Sequence, residues 1–107
     1  MGASKSESFS IEHNEMATLF KALSHPARIA IVEYLLSVDS CICGDIVNEL
    51  PLAQPTISQH LKELKNANII KGSIEGTAIC YCINLETIQK IEQHFSLITH
   101  KLKNKCC

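Results

Sequence analysis

Six cysteines fall in three pairs: Cys41 and Cys43, Cys80 and Cys82, and the adjacent Cys106 and Cys107. Thiolates are soft ligands that favour As(III), Sb(III), Cd(II) or Zn(II) over Mg or Ca. The same sulfurs can be oxidised to sulfenate or disulfide, or can carry a persulfide. The polar N-terminus Met1 to Ser8 lacks the apolar core of a secretory signal. No apolar run approaches the ~18–20 residues that cross a bilayer. A cytoplasmic location without membrane contact is therefore expected. Reduced cysteines there read as metal ligands or sensors before they read as a disulfide framework.

A different chemistry lies between the first two pairs. In the stretch from Leu52 to Leu64, Ile57, Leu61 and Leu64 keep the spacing of a buried helical face. Thr56, Ser58, Gln59, His60 and Lys62 crowd hydrogen-bonding groups onto the same short helix, which suits the edges of DNA bases and phosphates. Formal net charge is −1, so no global basic field announces nucleic acid. The local supply is Lys62, Lys65 and Lys71. A chain of 107 residues, 46% hydrophobic and 20% charged, is sized and composed for one globular domain with a modest core. The absence of Trp and the low aromatic content argue against a carbohydrate or base-stacking platform.

These groups must be positioned by the elements around them. Ile11 to Leu23 reads as a helix with Met16, Leu19, Phe20 and Leu23 in one stripe. Ser24-His25-Pro26 ends it and starts another, Ala27 to about Ser37, expected to bury Ile29, Val32, Leu35 and Leu36. After a turn at Ser37 to Ser40, the apolar Cys41-Ile42-Cys43 leads into a third helix, about Gly44 to Leu50, which Pro51 ends. Beyond Asn66 the pattern alternates: Ile69 to Glu75 and Ala78 to Ile83 form a hairpin around Glu75-Gly76-Thr77. Leu85 to about Lys103 is a last helix. Its Ile88, Ile91, Phe95, Ile98 and Leu102 form a heptad seam that wants a partner helix.

This order predicts a mostly α fold with a β-hairpin, a winged helix-turn-helix that dimerises through its terminal helices. Residues 1–10 are expected as a disordered leader, 11–103 as the DNA-binding and dimerisation domain, and 104–107 as a flexible cysteine-containing tail. A two-fold dimer places two reading helices about one DNA turn (~34 Å) apart, or a multiple of it, and reads a near-palindromic operator.

Strand parity decides what the internal cysteines can do. If Ile79, Tyr81 and Ile83 face the core, Cys80 and Cys82 face away from it. In a winged helix the segment before the third helix pairs with the second wing strand, and cross-strand Cβ atoms lie ~4.5–5.5 Å apart. With Ile42 inward, all four thiols share one face. With Ile42 on the opposite face, Cys41 and Cys43 turn inward and the cluster fails.

Three motifs in order resemble the ArsR/SmtB family of bacterial arsenic- and metal-responsive repressors. Leu19-Phe20-Lys21-Ala22-Leu23-Ser24-His25-Pro26-Ala27-Arg28 is similar to its opening signature. Gln54-Pro55-Thr56-Ile57-Ser58-Gln59-His60-Leu61 resembles its recognition helix, and Gly76 to Asn84 its wing. The resemblance spans about Ile11 to His100. It implies a homodimeric repressor that leaves its operator when an inducer binds, with Gln54, Thr56, Ser58, Gln59 and His60 facing the groove and Lys62 and Lys71 on phosphates. The chain departs from the pattern at Ala53, where a capping Ser is common, and at Thr77, where an Arg is frequent. Its Cys41 and Cys43 sit one residue earlier than the cysteines of the family's Glu-Leu-Cys-Val-Cys-Asp-Leu box. Glu92, His94 and His100 do not reproduce the family's interfacial zinc pattern.

The expected function is a repressor that releases DNA when As(III), or another thiophilic ion such as Sb(III), Cd(II) or Zn(II), binds Cys41, Cys43, Cys80 and Cys82, with Cys106 and Cys107 as secondary donors. No metal is needed for DNA binding on this reading. The alternative keeps the fold but makes the inducer an oxidant or persulfide. An enzyme is not expected, because neither a Cys-x-x-Cys motif nor a nucleophile beside a base is present.

Overall fold

A computed structural model of the chain describes residues 7–38, 41–43, 50–76, 78–103 and 105. Helix α1, Ile11–Leu23, begins where the Ser10 side chain accepts the His13 backbone N–H at 3.0 Å. Such a cap is worth about 1 kcal/mol. Helix α2, Pro26–Leu36, is capped in the same way by a ring: His25 Nδ1 accepts the Ala27 N–H at 3.0 Å. Helix α3, Gln54–Asn66, is the segment read as DNA-facing, and Ala53 at its start makes no side-chain cap bond.

The end of α3 is closed tightly. Asn68 adopts a left-handed φ of 63°, the Ile69 N–H reaches back to the Leu64 carbonyl at 3.0 Å, and the Asn68 N–H reaches Lys65 at 3.0 Å. This double closure satisfies carbonyls that helix ends leave open, and it buries Ile69 against Leu64. The chain thereby turns directly from the reading helix into the sheet.

Strands β1 (Ile42–Cys43), β2 (Ile70–Glu75) and β3 (Ala78–Ile83) form an antiparallel sheet in the order β1-β3-β2. The β2–β3 wing pairs Ile70 with Ile83 and Glu75 with Ala78, and its turn carries Gly76 at φ 65°, a conformation glycine adopts without strain. Helix α4, Leu85–Leu102, completes the fold. The core joins Leu19 and Ala22 of α1, Ile31, Val32 and Leu35 of α2, Ile57, Leu61 and Leu64 of α3, and Ile69 and Ile70. Winged-helix architecture is thus present as expected.

Two expected faces need correction. In α2, Ile31 is fully buried, whereas Ile29 and Leu36 are exposed. The segment Pro-Ala-Arg-Ile-Ala-Ile-Val-Glu-Tyr-Leu-Leu is apolar on nearly all sides, so its pattern singles out no face. In α4, Ile88 and Ile91 pack on the core of their own chain, while Phe95, Ile98 and Leu102 remain 51%, 42% and 59% exposed. The seam therefore has two parts, one used within the chain and one left uncovered by it. The first six residues of the expected leader, the expected third helix over residues 44–49, and residues 104, 106 and 107 of the tail lie outside the described residues.

Candidate nucleic-acid interface and cysteine ladder

Helix α3 is held by one face and offers the other. Ile57, His60, Leu61 and Leu64 are buried, at i, i+3, i+4 and i+7, while Gln54, Thr56, Ser58, Gln59 and Lys62 are exposed. Five of the six polar side chains expected there are free to reach a DNA groove. Gln59 Nε2 donates to Glu63 Oε2 at 3.1 Å along the helix surface, which pre-orients its amide.

His60 is the exception, and its expected place on the groove-facing side is corrected. The side chain is only 7% exposed, and its Nδ1 accepts a hydrogen bond from Arg28 Nε at 3.1 Å. Arg28 also donates through its guanidinium to the Ala22 carbonyl at 3.3 Å. The His25 ring lies 4.4 Å from that of His60. Burial, then the charges of His25 and Arg28, push the His60 pKa below its ordinary value. The ring is therefore neutral at pH 7, with Nδ1 as acceptor and the proton on Nε2. The buried i, i+3, i+4, i+7 set was visible in the sequence once His60 was counted by position rather than by polarity.

The wing adds further cations. Lys71 is exposed on β2, opposite Cys82. Lys65 lays its stem over the wing base: a Cβ built at Gly72 would stand 3.4 Å from Lys65 Cε. Gly72 thus leaves room for a lysine that bridges α3 and β2.

The β1–β3 register resolves the parity question. Ile42 lies opposite Tyr81, and both pack against the core. Strand alternation puts Cys80 and Cys82 on the face opposite Tyr81, but the expected core set is corrected in part: Ile79 is 49% exposed, while Cys80 is buried. Cys41 and Cys82 are joined by a disulfide with their Cα atoms 4.5 Å apart. Cys43 stands opposite Cys80 in the ladder. Cys80, in the central strand between β1 and β2, is 2% exposed and is itself disulfide-bonded. Sulfurs so bonded cannot ligate an ion, but reduction of Cys41 and Cys82 leaves two thiols facing each other across the strands. A cleft of about 280 Å³ lined by Leu35, Leu36, Val38, Ile83 and Leu85 opens beside them.

Other expected donors lie elsewhere. His94 rests edge-on against Phe20 and Phe95, and His100 and Glu92 are exposed on α4. Among the described residues no group of three or more His, Cys, Asp or Glu is placed to hold a metal ion. Cys106 and Cys107 fall outside those residues. Among the described residues, too, no helix is long and apolar enough to cross a membrane.

Comparison with known proteins agrees with this geometry. Residues 25–71 match the family described as bacterial regulatory protein, arsR family. Over 97 residues the chain is 28% identical to an arsenical resistance operon repressor of Staphylococcus xylosus, a match covering 91% of this chain and 92% of that protein. It is 36% identical over 74 residues to the transcriptional repressor SdpR of Bacillus subtilis (strain 168), covering 69% of this chain and 81% of the repressor. Its fold is similar to that of an ArsR-like transcriptional regulator from Rhodococcus sp. RHA1, with a TM-score of 0.74, 22% identity, and coverage of 85% of this chain and 83% of that one.

Proposed function

The chain belongs to the arsR family of bacterial regulatory proteins and is a DNA-binding transcriptional repressor, and on that premise we propose that an arsenite-like thiophile releases it from its operator by binding the β1–β3 cysteines. The observation that carries this reading is the ladder itself, with Cys41 bonded to Cys82 and Cys43 in register with Cys80. Trivalent arsenic bonds to three thiolates, and the reduced ladder supplies four in adjoining positions. Sb(III), Cd(II) and Zn(II) are the other ions such a soft donor set accepts. Cys106 and Cys107 are secondary donors. Similarity to an arsenical resistance repressor over most of the chain supports the same chemistry.

DNA is read by Gln54, Thr56, Ser58 and Gln59 of α3, with Lys62 and Lys71 on flanking phosphates. Two copies act together on a near-palindrome. Their contact is the ridge where Phe20 meets Phe95, at 5.7 Å between rings, continued by Ile98 and Leu102. The repressor works in the cytoplasm, where reductant keeps its thiols available.

A duplex selected by the reduced protein from a random pool provides the assay. Under reductant, arsenite should lower affinity for that duplex in the wild type and leave the Cys41→Ser/Cys43→Ser variant unmoved. Unchanged binding across arsenite, antimonite, Cd(II) and Zn(II) would overturn the reading. The disulfide between Cys41 and Cys82 favours a second one, in which oxidation of this pair is the signal. Peroxide would then release DNA without any metalloid, and dithiothreitol would restore binding.

A further inference from the structure

We infer that Arg28 and His60 form a latch that sets the position of the recognition helix, and that acid opens it. Apolar contacts through Ile57, Leu61 and Leu64 hold α3 to the core but are non-directional. Its N-terminus, which carries the groove-facing Gln54 to Gln59, has no side-chain cap to fix it. The directional tie is the bond from Arg28 Nε to His60 Nδ1 at 3.1 Å. Through its second bond, to the Ala22 carbonyl near the end of α1, Arg28 holds α1, α2 and α3 in one arrangement. Arg28 and His60 are positioning residues: they act on DNA through the side chains of α3.

The latch needs a neutral imidazole. A proton on His60 Nδ1 removes the acceptor and sets two cations against each other in a part-buried place. The His25 ring lies beside it, tilted by 49°, with its own Nδ1 engaged as the α2 cap, so a second ring there is also used as an acceptor. The charged groups around the pair are His25 and Arg28 on α2, Lys21 on α1 and Glu63 on α3, the last three lining one cleft with Ala22. Only Glu63 is an anion, and it is engaged by Gln59. Burial and the cations of His25 and Arg28 outweigh it at His60.

The expected sign runs against ordinary DNA electrostatics. Acid adds positive charge and strengthens non-specific attraction to phosphate. Opening the latch instead weakens specific binding. Fluorescence anisotropy of the reduced full chain, on the selected duplex and on a random one, separates the two between pH 5 and pH 8. In the wild type, specific affinity should fall by about ten-fold toward pH 5, a change well above assay error, while non-specific affinity holds or rises. His60→Asn keeps an acceptor near the Nδ1 position but does not titrate. It should bind like the wild type at pH 7 and lose the acid decline. Arg28→Lys, which cannot present the planar two-point fork, should weaken specific binding at pH 7. A His60→Asn profile that still declines like the wild type overturns the proposal. That variant decides alone if Arg28→Lys does not fold.

Discussion

Replacing Cys41 and Cys82 together by serine should lower the melting temperature of the oxidised protein by about 15 °C, a magnitude that follows from loop closure. The bond joins positions 41 residues apart. Closing a loop of that length removes ~13 cal/mol/K of entropy from the unfolded chain, or about 4 kcal/mol at 25 °C. Unfolding entropy of ~2.1 cal/mol/K per residue, over 107 residues, gives ~0.22 kcal/mol/K at the midpoint. The quotient is about 17 °C, lowered slightly because engineered and natural staples often deliver less than the loop model. Serine itself adds little, since Cys41 is exposed and Cys82 half-buried. Circular dichroism melts without reductant, at one protein concentration, compare wild type and double variant. Both proteins carry Cys80→Ser as a shared background, because a second disulfide at Cys80 would already constrain the unfolded loop between positions 41 and 82. Dithiothreitol should bring the wild type down to the variant or below it. Melting points within about 3 °C of each other, too small for a 4 kcal/mol staple, would refute the claim that this bond constrains the unfolded chain.

Gln59→Ala should cost about ten-fold or more in affinity for the selected duplex while leaving random DNA unaffected, as for a base contact worth ~1–3 kcal/mol; an equal loss on both would remove Gln59 from base reading. Lys62→Ala and Lys71→Ala should each lower the slope of log affinity against log salt by ~0.9, the value of one phosphate contact. Phe95→Asp should yield monomers in sedimentation while circular dichroism keeps the native helix signal, because Phe95 lies outside the core cluster of its own chain. The His60 pKa is lower folded than unfolded, so the unfolded chain binds more protons between the two values. Stability is then complete above ~6.5 and falls as pH drops through the lowered value. Urea midpoints at pH 7 and pH 5 should show this loss, and His60→Asn should reduce it.

The wing and the reading helix were legible because their patterns admit one solution. Ile57, Leu61 and Leu64 fix a helical face, and alternation across Gly76 fixes a hairpin. His60 departs from its polarity because its position, i+3 of the buried set, turns it inward, where Arg28 supplies the hydrogen bond that a buried ring needs. The buried face of α2 was not legible, since an almost uniformly apolar segment takes its orientation from tertiary packing. Nor was the cysteine face, because a two-residue strand carries no period of its own. Ile42 declares its side only through Tyr81, thirty-nine positions later in the chain, when the two strands pair.

On the proposed reading, the position of the ladder would make it a means of control as well as a binding site. Cys41 and Cys82 bracket the entire reading unit, α3 and nearly all of the wing. Chemistry at their sulfurs therefore acts on both ends of that unit at once, while the Arg28–His60 bond fixes its middle to α2. A ligand moves such an equilibrium only by its difference in affinity between two states. A hundred-fold loss of operator affinity requires about 2.7 kcal/mol of that difference. Linkage is reciprocal, so if a thiophile releases the operator, operator DNA weakens thiophile binding by the same factor. The tie joins the start of β1 to the central strand β3, and α3 meets the sheet through a tightly closed helix end at Asn68 and Ile69. On that reading, a helix held by the Arg28–His60 bond and a covalently addressable frame would lose its register on DNA without losing its fold.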